Sequence, residues 1–117
     1  MNREEIESHI QNTYGVFPDY PWDSSPYHAV YRHKENKKWF ALVMKIPKQK
    51  MGILEEGTVD VMNVKCDPVL LGSFLSQPGF YPAYHMNKAN WISVLLDGSA
   101  EENSMKMLLE MSFDLTL

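Results

Sequence analysis

The residues of this 117-residue chain that could do chemistry are few and scattered: four histidines (His9, His28, His33, His85), a single cysteine (Cys66), and the run His85-Met86-Asn87-Lys88 shortly before Trp91. The histidines show no HxxxH or other metal-ligand spacing and the acids are dispersed, so no metal site is expected. Glycine-rich phosphate loops and a G-x-S-x-G elbow are absent, and no cofactor is expected. Cys66 falls where a strand pattern meets a helix pattern, a place that lowers a thiol pKa and would suit a nucleophile with His85 as its base. A lone cysteine is more often a small buried hydrophobe, so the chain reads as non-enzymatic. If a small-ligand pocket exists, its expected lining is Trp22, Ser24, Lys65, Cys66, His85 and Asn87. For Asn87 and His85 the competing use is satisfying the backbone of their own turn.

Charge supplies a second candidate site. The net charge of −4 is unfavourable for a phosphate-rich partner, but its distribution is uneven. Residues 1–31 hold Arg3 against five acids, and residues 89–117 hold Lys106 against five, so each flank is −4. Residues 32–88 hold nine bases against five acids, a net of +4, and seven of those bases lie between Arg32 and Lys50. Such a run is either a solvated hairpin or an anion-binding surface. As the latter it would use Arg32, Lys34, Lys37, Lys38 and Lys88 for phosphate, with Trp39 and Trp91 stacking beside them. DNA bound this way would be held weakly and in a salt-sensitive manner. A protein partner on the same tryptophan-bearing surface is the alternative.

The elements that must position these residues follow from periodicity and caps. Asn2 with Glu5 reads as a capping box opening a helix with Ile6 and Ile10 inward, ended by Gly15. Three prolines in "VFPDYPWDSSPYH" argue for an ordered loop. Residues 28–33 and 38–46 read as a hairpin about "KENK", and residues 58–66 as a third strand with a slip in alternation at Val61 and Met62. Asp67 and Pro68 supply an N-cap and first-turn proline for a helix through Leu75. Residues 80–86 and 90–96 read as two more strands, and Ser99 with Glu102 as a capping box for a last helix. The expectation is a single domain over residues 1–117, of α+β class, with a mostly antiparallel sheet and helices packed on one face. Pairing His33 with Lys38 would place Tyr31, Phe40, Leu42 and Met44 inward, and Arg32, Trp39, Ala41, Val43 and Lys45 outward. In the last strand Ile92, Val94 and Leu96 point inward, and Trp91, Ser93 and Leu95 outward. No apolar run approaches the roughly 20 residues of a membrane span, and no secretory leader is evident, so a cytoplasmic protein is expected.

Four segments, "RHKENKKWFAL", "VDVMNVKCDP", "QPGFYPAYHMNKANWISVLLDGS" and "MSFDLTL", resemble the MmcQ/YjbR family of small bacterial proteins from the first helix to the C-terminus. The resemblance implies a CyaY/frataxin-like fold and a double-wing DNA-binding role. Many relatives carry H-M-N-K-x-H-W, whereas Asn90 stands here in place of the second histidine.

Overall fold

The computed structural model describes residues 1–117. Chain order is α1 (Arg3–Tyr14), β1 (Ala29–Arg32), β2 (Trp39–Pro47), a 3-10 turn (Lys48–Met51), β3 (Thr58–Lys65), α2 (Pro68–Leu75), β4 (Phe80–Pro82), β5 (Trp91–Leu95) and α3 (Glu102–Leu115). The strands form one sheet in the order β1-β2-β3-β5-β4, with every neighbouring pair antiparallel. No helix is long and apolar enough to cross a membrane.

Local chemistry sets most boundaries. The Asn2 side chain accepts from the Glu5 amide while Glu5 accepts from the Asn2 amide, and Gly15 closes α1 in the left-handed region at φ 65°. Asp67 caps α2 through the Val69 amide, with Pro68 in the first turn, where its missing N–H costs nothing. The start of α3 differs from the sequence expectation. Ser99 turns back onto Asp97, Glu101 occupies the cap position without a side-chain cap bond, and the helix begins at Glu102. Residues 83–90 also depart from the expected strand pair: β4 is three residues long, and the chain loops away after Pro82.

All three helices lie on one face of the sheet. Ile6 and Ile10 from α1, Phe74 from α2, and Met105, Leu108 and Leu109 from α3 pack on Tyr31, Phe40, Val43, Met62, Val64, Ile92 and Val94. Each such large apolar side chain contributes about 1.5–3 kcal/mol by leaving water. The opposite face carries a smaller cluster of Val30, Leu42, Met44, Ile46, Met51, Val59, Val61 and Leu95. Val61 and Met62 are therefore both buried on regular, opposite-facing positions, and β3 carries no bulge against β2.

The irregularity lies in β2 instead. Tyr31 pairs with Ala41 and Arg32 with Trp39, so Phe40 is an extra residue. Phe40 and Ala41 both turn toward the helices, and every later side chain of β2 falls on the face opposite to that expected: Ala41 and Val43 go inward, Leu42 and Met44 outward. The bulge is held from α3. Ser112 donates to the Phe40 carbonyl at 2.6 Å and accepts from the Lys65 amide at 2.8 Å, supplying a rung that the β2–β3 ladder lacks there. Leaving those two groups buried and unpaired would cost about 1–3 kcal/mol each.

Candidate functional site

By turning Leu42 and Met44 outward, the bulge puts them on the same face as Trp39. On that helix-free face the Trp39 ring lies 5.6 Å beneath the Arg32 guanidinium. The proline-rich loop then folds back, pairing Asp19 with Val30 through two 2.8 Å backbone bonds. This brings Trp22 edge-on to Trp39 at 5.6 Å and to His28 at 5.9 Å. Three rings thus form one wall.

The facing wall is set by polar residues at the centre of the sheet. Val30, Leu42, Asn63, Ser93 and Tyr81 form one row across all five strands. Asn63 and Ser93 are both 0% exposed, a placement that desolvates two polar side chains and requires partners for them. Ser93 donates to Asn63 Oδ1, Asn63 Nδ2 donates to the Tyr84 carbonyl at 2.8 Å, and the Tyr84 amide donates to Ser93 Oγ at 2.9 Å. The pair grips both backbone groups of Tyr84 just where β4 has ended. His85 follows at φ 56°, a left-handed conformation that costs a non-glycine residue about 1–3 kcal/mol. Its ring stacks obliquely on Tyr84, the centroids 4.0 Å apart.

Between the walls lies a cleft of about 460 Å³, lined by Trp22, Ser24, Ser25, His28, Trp39, Leu42, Met44, Tyr84, His85 and Met86. That volume is in the range of small-molecule sites, and the composition, apolar with a few polar groups, is typical of them. None of the chain's 15 acidic residues lines it. Burial lowers the His28 pKa below its ordinary value, aided by the positive charge of Arg3 and by His85. At neutral pH His28 is an uncharged ring with one N–H to offer.

Of the six residues expected to line a pocket, Trp22, Ser24 and His85 do so; Lys65, Cys66 and Asn87 do not. Cys66 lies in the helix-side core with no exposed surface. Burial, with Asp67 beside it, pushes its thiol pKa up, so the nucleophile-and-base pairing with His85 does not form. Asp67 has already taken the free amide at the start of α2. Asn87 caps its own turn by accepting from the Ala89 amide. Lys65 pairs with Trp91 at the ends of β3 and β5. Ser25, His28, Leu42, Met44, Tyr84 and Met86 were missed. The legible signal for this wall was the polar residue at the middle of each of two apolar strands, Asn63 and Ser93.

The seven residues of the basic and aromatic surface fall at one end of the sheet. Arg32 and Trp39 end the β1–β2 pairing, Trp91 begins β5, Lys34, Lys37 and Lys38 lie in the β1–β2 turn, and Lys88 lies in the loop before Trp91. Arg32 is paired with Asp19 at 2.9 Å. The turn is fastened to α3: buried His33 places Nε2 2.8 Å from Thr116 Oγ1 and 3.0 Å from the Phe113 carbonyl, and Asn36 donates to the Thr116 carbonyl. Lys34, Lys37, Lys38 and Lys88 are exposed, while Trp39 and Trp91 are half-buried.

An antiparallel five-stranded sheet with three helices on one face and a ring-walled cleft on the other defines a small α+β protein. The chain belongs to the YjbR family, whose model matches residues 11–115. It is 39% identical over 116 residues to the uncharacterized protein YyaQ of Bacillus subtilis strain 168, covering 99% of this chain and 98% of that one. A Pseudomonas syringae protein at 47% identity has a crystal structure that superposes with a TM-score of 0.97 over 100% of both chains. A Deinococcus radiodurans protein with a DUF419 domain shares the fold at 20% identity, with a TM-score of 0.70 over 97% of this chain and 77% of that one.

Proposed function

We propose that this protein is a non-enzymatic small-molecule-binding module whose site is the cleft on the helix-free face. The observation that carries the reading is the cost accepted to build one wall: a buried Asn63–Ser93 pair and a left-handed His85 hold the Tyr84–Met86 loop away from Trp22 and Trp39. Strain and buried polarity of this kind cluster at functional sites. The reading is tested by thermal-shift measurements with a collection of small metabolites, followed by amide and indole NMR on every hit. A ligand that raises the melting temperature and moves the signals of Trp22, Trp39 and His85 supports it. Hits whose shifts all map to the helical face would overturn it.

A second reading, DNA binding, is favoured by the gathering of Arg32, Lys34, Lys37, Lys38 and Lys88 with Trp39 and Trp91 at one end of the sheet. Binding there would be weak and would fall steeply with salt, since the chain is acidic overall and Arg32 is already paired. Fluorescence anisotropy with labelled duplex and single-stranded DNA at two salt concentrations tests it against a Lys34→Glu, Lys37→Glu, Lys38→Glu variant. Salt-sensitive binding that the variant loses supports the reading, and no binding at low salt and high micromolar protein removes it.

A further inference from the structure

Resting on the cleft reading, we infer that the ligand class is a planar aromatic ring bearing a carboxylate or a similarly compact anionic group. Three features of the cleft fix the two halves of such a molecule. The ring half has Trp22 and Trp39 at 82° to one another, above a floor of Leu42 and Met44. A flat π-system can lie on one indole face while presenting its edge to the other, the arrangement aromatic quadrupoles prefer. The ring of Tyr84 closes the far side.

The anionic half meets side chains able to donate and no carboxylate to repel it. His28 and His85 enter the cleft from opposite walls, and Ser24 and Ser25 add hydroxyls. Asp23, although adjacent to Ser24, is not among the lining residues, and Asp19 is engaged by Arg32. In a chain of net charge −4 no carboxylate lines the cleft, and the guanidinium groups nearby, Arg32 over Trp39 and Arg3 donating to the Tyr27 carbonyl, are already paired with Asp19 and with Glu7 and Asp60. An ammonium ligand would find no counter-charge there, whereas a carboxylate would find imidazole N–H and hydroxyl donors. A cleft of about 460 Å³ accommodates one or two fused rings with a short acidic arm.

The test holds the ring constant and varies the charge. Indole-3-acetate, uncharged indole-3-acetamide and cationic tryptamine are titrated into the ¹⁵N-labelled protein, with cyclohexylacetate as the anion lacking a flat ring. The expected result is that indole-3-acetate moves the Trp22 and Trp39 indole signals and the Ser24, Ser25 and His85 amides. It should bind at least ten-fold more tightly than the other three. His85→Asn keeps a residue that tolerates the left-handed backbone and removes the imidazole. It should shrink the preference for acetate over acetamide to less than three-fold, because the acetate loses more affinity than the acetamide does. His28→Gln gives the same readout from the other wall should the first variant not fold. Equal or tighter binding of the acetamide, tryptamine or cyclohexylacetate at the same residues overturns the ligand class and leaves the cleft reading standing. Absence of any cleft shift with all four probes overturns the ligand class, and the cleft reading is then decided by the metabolite screen.

Discussion

Ser93→Ala removes one oxygen that lines no cleft, yet it should loosen the cleft wall. The hydroxyl donates to Asn63 Oδ1 and accepts from the Tyr84 amide. Its deletion strands one buried amide oxygen and one partly buried backbone donor, at about 1–3 kcal/mol for a group left buried and unpaired. The Tyr84 amide is only partly buried and can recruit water, so the expected total is about 2–3 kcal/mol. A domain of this length has roughly 6–17 kcal/mol of stability in all. For this chain about 3–6 °C of melting temperature corresponds to each kcal/mol, giving a fall of roughly 6–18 °C. Thermal unfolding followed by circular dichroism measures the loss, with Ser73→Ala on the exposed face of α2 as a control expected within about 0.5 kcal/mol of the parent. Hydrogen exchange at the Tyr84 amide reports whether the loop has come free, and indole-3-acetate affinity should fall with it. A variant that melts within about 2 °C of the parent with Tyr84 still protected would refute the assignment of Asn63 and Ser93 as the anchor.

Ser112→Ala should cost about 2–4 kcal/mol by the same reasoning, since it strands the Phe40 carbonyl and the Lys65 amide. Urea unfolding with an unchanged m-value is the check, and a loss below about 0.5 kcal/mol would show that the bulge does not need α3. Gly79→Ala combines φ +85° with a Cβ that would lie 2.6 Å from the Ala100 backbone nitrogen, and should cost at least about 2 kcal/mol in the same assay. His9 and His28 both have pKa values lowered chiefly by burial, so the unfolded chain binds more protons and stability should fall as pH drops below about 6.5. Melting temperatures at pH 7.5 and 5.5 at constant ionic strength test the sign, and an NMR pKa at or above 6.5 for both rings would refute the cause. Cys66, buried and with its thiol pKa raised by desolvation, should resist iodoacetamide in the native state and react once the chain is unfolded; prompt native-state labelling would contradict its place in the core.

Local signals made much of the architecture legible. Asn2 with Glu5, Gly15, and Asp67 with Pro68 carry helix boundaries in side-chain and backbone chemistry that acts over a few residues. The inward parity of Ile92 and Val94 in β5 was equally readable, because the alternate positions hold the tryptophan and the serine. The parity of β2 was not. Phe-Ala-Leu-Val-Met is apolar at every position, so both faces satisfy the alternation equally well, and only the partner strand reveals the extra residue at Phe40.

The sequence by itself determined the order of elements, the helix-covered sheet and the basic middle of the chain, all of which depend on interactions within a few residues or on composition. Tertiary structure decided that Leu42 and Met44 join Trp39 on the helix-free face, because the bulge that turns them is completed by Ser112, 72 residues further along. It likewise decided that His85 shares a cleft with His28 and is kept apart from Cys66. The sheet separates the cleft from the helix-side core, and a residue's face follows from pairing across strands, which no single stretch of chain encodes.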